Sequence, residues 1–151
     1  MQNVFDAKDA QEYINRINNL TPETQRKWGK MSVDQVLAHL NVAYDLTFTP
    51  EKFPKPSFIA KFLLSRFVKP KITNEIPYKP SLPTSPAFII ADERNFEEEK
   101  AKLIGNIQRV QQLGKEAFEG KENINFGKMT AQCWNNMFAK HLNHHLDQFG
   151  V

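Results

Sequence analysis

Apolar positions recur at steps of three and four through most of this chain, the period of a helix face, and no stretch of useful length alternates as a strand would. Ala7, Ala10, Ile14 and Ile17 follow that period with Asp6 placed as an N-cap, which predicts a first helix. Thr21-Pro22-Glu23 repeats the cap-then-proline signal and predicts a short turn of helix ending near Trp28-Gly29. Ser32 and Gln35 form a capping box ahead of Val33, Val36, Leu37, Leu40, Ala43 and Tyr44, so a second principal helix is predicted from about Val33 to Leu46, with His39 at its middle. Asp92 is placed to cap a long third helix carrying Phe96, Leu103, Ile107, Val110 and Leu113. Glu97, Glu98 and Glu99 enrich its first turn, and it should fade near Ala117 to Gly120. The last helix is predicted from around Thr130 to about Gln148; Trp134, Phe138, His141 and His145 share one stripe, and Gly150 stops it.

Between Pro50 and Pro86 lie eight of the nine prolines and no glycine, so this passage reads as a stiff, irregular excursion. One proline-free island, Phe58 to Phe67, predicts a short amphipathic helix, apolar on one side and basic on the other. The whole connection between the second and third helices is roughly 45 residues long, enough to cross over and bring them parallel in a four-helix bundle. The expected fold class is therefore all-α.

Composition changes this picture little. At 151 residues, 40% apolar and 25% charged, the chain has the size and balance of one globular domain spanning residues 1–151, and twelve Phe supply core. The net charge of +3 forms no obvious nucleic-acid stripe, so no nucleic-acid partner is expected. Cys133 is the single cysteine, which excludes an intramolecular disulfide framework. Without a signal-like start or a run near the roughly 20 apolar residues of a membrane span, the expected address is cytoplasmic, with no membrane partner. Residues Lys52 to Lys79 hold seven Lys/Arg against Glu75 alone, interleaved with Phe53, Phe58, Phe62, Phe67 and Tyr78. The aromatics are expected to cover one end of the bundle while the basic groups face water. Two other uses fit the same residues: a lid with a positive rim suited to an anionic thiol or acidic substrate, and a membrane-surface helix.

Chemistry concentrates in the histidines. Three of the four lie in His141-Leu142-Asn143-His144-His145, and the fourth is His39. Residues four apart on a helix sit about 40° apart on the wheel, so His141 and His145 can share an ion, whereas His144 points about 100° away from His145 and is expected outside the ligand set. His39 would complete a three-histidine metal site between the second and last helices. Each histidine taken singly also fits a hydrogen-bonded core residue, and H-x-x-x-H, unlike H-E-x-x-H, brings no general base. Cys133 lies about 12 Å along the axis from His141, too far to ligate the same ion, and reads as a core thiol. Asp34, Gln35, Asp45, Asp147 and Gln148 are the nearest polar candidates; no general base is named among them, and no catalytic residue.

Met31-Ser32-Val33-Asp34-Gln35-Val36-Leu37-Ala38-His39-Leu40, approached by Trp28, resembles the second-helix signature of the DinB-like superfamily. Phe126-Gly127-Lys128-Met129-Thr130, Trp134 and the run His141 to Gly150 resemble its final helix. The resemblance covers both ends of the chain and leaves out the proline-rich middle. It implies an up-down-down-up four-helix bundle, dimers, and a divalent metal, commonly nickel or zinc, held by the histidines matching His39, His141 and His145. It further implies activities such as thiol-dependent S-transfer or thiol-assisted isomerisation on a small-molecule substrate, with a low-molecular-weight thiol as cofactor. Three neutral imidazoles leave an open position where a thiol or a water would be activated, so metal-dependent hydrolysis and a non-catalytic bundle with a structural metal are the alternatives.

Overall fold

The computed structural model describes residues 1–80, 82 and 84–151 and is mostly helical. Ser81 and Pro83, which fall in the expected proline-rich excursion, lie outside the described residues. The helices are α1 (Ala7–Asn18), α2 (Val33–Phe48), α3 (Phe58–Leu63), α4 (Lys69–Thr73), α5 (Phe96–Leu113) and α6 (Ala131–Phe149). A π-helical turn, Leu64–Val68, joins α3 to α4 without a break, and a two-residue hairpin, β1 (Glu122–Asn123) and β2 (Gly127–Lys128), precedes α6.

Helix starts follow local hydrogen bonding. Asp6 accepts the N–H groups of Lys8 and Asp9 ahead of α1, Gln35 accepts the Ser32 N–H at 3.0 Å ahead of α2, and Thr130 accepts the Cys133 N–H ahead of α6. Gly150 ends α6 at φ +77°, a conformation that costs a residue with a Cβ. Four boundaries depart from expectation. No helix forms after Thr21-Pro22: Thr24 closes a single turn on Thr21, after which the chain extends so that the Lys27 N–H reaches the Gln148 carbonyl at 2.7 Å. Asn95, not Asp92, caps α5 by accepting the Glu98 N–H, while Asp92 pairs with Arg94. α5 stops at Leu113, where Gly114 turns to φ +71°, so the stretch to Ala117 is a separate 3-10 turn. The helical island continues past Pro70, which follows directly on the π turn Leu64–Val68.

Side-chain pairs set the helix directions. Asp34 accepts the Arg94 N–H, Asn41 donates to the Glu99 carbonyl, and Asp45 pairs with Lys102, so α2 and α5 ascend together. Val4 with Asn135, Tyr13 with Ala139, and Arg16 with Asn143 and Asp147 likewise run α1 parallel to α6. His39 lies against His141 and His145 while Tyr44 stacks on Phe138, so α2 and α6 are antiparallel. The parallel arrangement of α2 and α5 is the one the long crossover suggested. Between these helices the core gathers Tyr13, Ile17, Leu37, Leu40, Leu103, Ile107, Phe118, Trp134 and Phe138, all essentially solvent-free. One helical turn from the Tyr44–Phe138 stack, apolar packing gives way to the histidines.

Candidate metal centre

The centre of α2 and the C-terminal half of α6 bring three imidazoles together. Ring centroids of His39 stand 4.8 Å from His141 and 4.6 Å from His145, and those of His141 and His145 are 5.0 Å apart. One nitrogen from each of the three rings lies within 4.8 Å of the others, so the group could hold a metal ion. His39 and His145 are buried, and His141 is partly exposed, which places the group's solvent-facing side at His141.

Hydrogen bonds on the far side of two rings dictate where their lone pairs point. His39 Nδ1 lies 2.7 Å from the Phe88 carbonyl oxygen, which only accepts, so Nδ1 carries the proton and Nε2 is left bare. At His145 the same result follows in two steps. Gln148 Nε2 donates to the Trp28 carbonyl at 2.8 Å, which turns Gln148 Oε1 toward His145 Nδ1, also at 2.8 Å. His145 Nδ1 therefore donates and its Nε2 is bare. His141 Nε2 stands 2.8 Å from His39 Nε2, so without an ion it must donate its proton there. Two nitrogens bound tetrahedrally at about 2 Å from one ion are roughly 3.4 Å apart; spacings running from 2.8 Å up to 4.8 Å bracket that value. The donor set is thus all imidazole, with two of its three tautomers fixed for ligation.

Burial also keeps these rings neutral. Desolvation lowers His39, holds His145 down at about 3 with further help from the neighbouring His39, and depresses His141 well below the usual imidazole range, His39 and His145 adding to that effect. An incoming cation therefore meets no imidazolium charge at neutral pH, and only His141 has to shift its proton from Nε2 to Nδ1. A pH dependence follows for the metal-free protein. The folded pKa values lie below that of an unfolded histidine, about 6.5, so the unfolded chain binds more protons as pH falls. Stability is fully present above about 6.5 and is lost on descent toward the folded values. Between about pH 6.5 and 5, above the range of ordinary carboxylates, thermal midpoints should fall in the wild type and fall less steeply in His145→Gln. Equal slopes in the two proteins would refute this.

His144 stays outside the group, as its position on the wheel implied. Its ring packs against His145 at 4.9 Å, Tyr78 at 5.7 Å and Trp28 at 6.1 Å, and it lines a cavity of about 410 Å³ together with Trp28, Tyr78, Lys140, Asn143 and others. The other polar candidates have structural partners. Asp34 accepts from Ser32 and Arg94, Asp45 pairs with Lys102, Asp147 with Arg16, and Gln35 serves the capping box. Cys133 is half-buried at the edge of the core.

Sequence reasoning missed two contributors. Phe88, in the 3-10 turn Pro86–Phe88, gives its carbonyl to His39 and packs its ring against His39 and His141, at 5.4 and 5.8 Å. No periodicity marks a residue in that proline-rich passage. The Trp28-Gly29 turn was expected only as the end of a short helical turn and the approach to α2. Gly29, at φ +82°, lets Gln148 come so close that an added Cβ would lie 2.5 Å from its Nε2.

Fold and site together define a helical protein with a three-histidine group of metal-binding geometry. Residues 2–150 match a family described as "Protein of unknown function (DUF1569)", and the chain belongs to it. No curated protein and no solved structure matches the chain. Among the described residues no helix is long and apolar enough to cross a membrane.

Proposed function

We propose that this chain is a DinB-like four-helix bundle, up-down-down-up, in which His39, His141 and His145 hold a divalent metal and a small molecule is transformed with a thiol as co-reactant. The observation that carries the reading is the convergence of three imidazoles whose outward nitrogens on His39 and His145 are pinned by Phe88 and Gln148. The helix directions support the bundle, since α1 with α6 and α2 with α5 run parallel while α2 and α6 oppose. Zinc and nickel both suit an all-imidazole donor set.

A divalent ion held by three neutral imidazoles supplies an open position at which a thiol or water is made a better nucleophile. The chain's own residues do the rest. His39 and His145, buried and neutral, present bare nitrogens; His141 is partly exposed, and Phe88 screens one side. The cavity beside His144 has room for a small molecule; Glu75 and Asp147 stand on its wall with Lys140. In transfer the thiol sulfur bonds to an electrophilic carbon, the leaving group departs with its electron pair, and the thiol proton passes to solvent. Hydrolysis is the second reading, but no Asp or Glu among the described residues joins the three histidines, and water needs a base more than a thiol does.

Metal-loaded protein should consume a small electrophile only when both metal and a low-molecular-weight thiol are present, followed by loss of free thiol. Turnover of an ester or amide without thiol would replace transfer by hydrolysis. Full loading with no turnover of any kind would leave a structural metal.

A further inference from the structure

The helical arm formed by α3, the π turn and α4 is amphipathic in the reverse of the expected sense. Successive α-helical residues turn by about 100° and those of the π turn by somewhat less, which places Phe58, Ile59, Phe62, Leu63, Arg66 and Phe67 on one half of the wheel and Ala60, Lys61, Leu64 and Ser65 on the other. The apolar half is the outer one: Phe58 is 87% exposed, Ile59 70%, Phe62 61% and Phe67 57%. This overturns the expectation that these aromatics cover the end of the bundle, while most of the basic groups face water as expected.

Polar anchors hold the inner half. Lys61 pairs with Glu122 at 2.8 Å, Lys69 donates to the Lys128 carbonyl at 2.7 Å, and from α6 Asn136 donates to the Thr73 carbonyl while Lys140 donates to the Lys71 carbonyl and to Asn74. Rotating the arm to bury its phenylalanines would break every one of these bonds and leave Lys140, only 3% exposed, without its acceptors. The exposed apolar face is therefore built in. Isolated surface apolar residues are ordinary, but a contiguous aromatic patch marks a contact surface.

Charge identifies the occupant. Lys52, Lys55, Arg66, Lys71 and Lys79 of the same segment are all exposed, and only Glu51 and Glu75 oppose them there. A two-fold contact with a second copy would set this positive rim against itself. An anionic lipid surface would meet both features, taking the phenylalanines into the acyl boundary and the cations among the headgroups. We propose that residues 52–79 form a membrane-surface arm that docks this protein on anionic lipid, contrary to the expectation of no membrane partner. The proposal stands independently of the metal.

Co-sedimentation with vesicles tests it. The full chain should pellet with phosphatidylcholine vesicles containing phosphatidylserine and stay free of phosphatidylcholine alone, with binding falling at high salt. Phe58→Ser with Phe62→Ser, on exposed positions that leave the fold intact by circular dichroism, should abolish binding. Lys55→Glu with Arg66→Glu should weaken it by about tenfold or more. Absence of binding, equal binding to neutral vesicles, or retention in the Phe variant would each overturn the proposal. So would a wild-type dimer in sedimentation velocity that the Phe variant converts to monomer, since that would seat a second copy on the patch.

Discussion

His145→Ala is expected to abolish stoichiometric zinc or nickel binding while leaving the helices folded, and His39→Ala should do the same. Each substitution leaves two imidazoles where three converge, and the His145 ring is held through Gln148 to the Trp28 carbonyl. Loss of an outer partner typically weakens a metal site ten- to a hundredfold, so loss of a ligand should exceed about a hundredfold. His144→Ala is the matched control: it removes an adjacent ring that touches His145 without joining the group. Isothermal titration with zinc, alongside thermal melts of the metal-free proteins, would measure both. Stoichiometric, tight binding by His145→Ala would mean that these histidines are core residues, not ligands.

Gln148→Ala should lower metal affinity by about ten- to a hundredfold without changing stoichiometry. Gln148 is buried, and its amide is oriented by the Trp28 carbonyl, so its oxygen has one role, to accept the His145 Nδ1 proton. Without it His145 can take the other tautomer, with its proton where the ion would bind. Gln148→Glu keeps an acceptor for Nδ1 but sets a carboxylate against the Trp28 carbonyl, so it should recover part of the affinity lost in the alanine variant. Gly29→Ala should behave like a mild Gln148→Ala, because its Cβ would displace the amide nitrogen. Competition against a chromogenic chelator would rank the four proteins; wild-type affinity in Gln148→Ala would reduce this contact to packing.

What could be read in advance, and what could not, divides along physical lines. The helical period placed His141 and His145 on one face and His144 off it, and the wheel geometry is what α6 adopts. Gln148 was visible as a polar residue one turn beyond His145, yet its tautomer-fixing role depends on Trp28, which is distant in sequence and met only through the fold. Phe88 left no trace, because a backbone carbonyl has no sequence signature and its passage has no period. Periodicity also revealed that the island from Phe58 had two faces but not which one turned outward. That choice is made by Glu122, Asn136 and the carbonyl of Lys128, acceptors and donors scattered over other elements. The missing helix after Thr21 has a similar cause: a 2.7 Å bond from Lys27 to the end of α6 outcompetes a local signal that only one turn satisfies.

Whether the three histidines hold an ion with a position left open is decided by X-ray absorption at the metal edge of zinc- or nickel-loaded protein. Loaded protein should hold one ion per chain, coordinated by three imidazoles and at least one light, exchangeable ligand, with a sulfur scatterer appearing when a low-molecular-weight thiol is added. A protein that takes up no ion, or a shell closed by four protein ligands and unchanged by thiol, would contradict it.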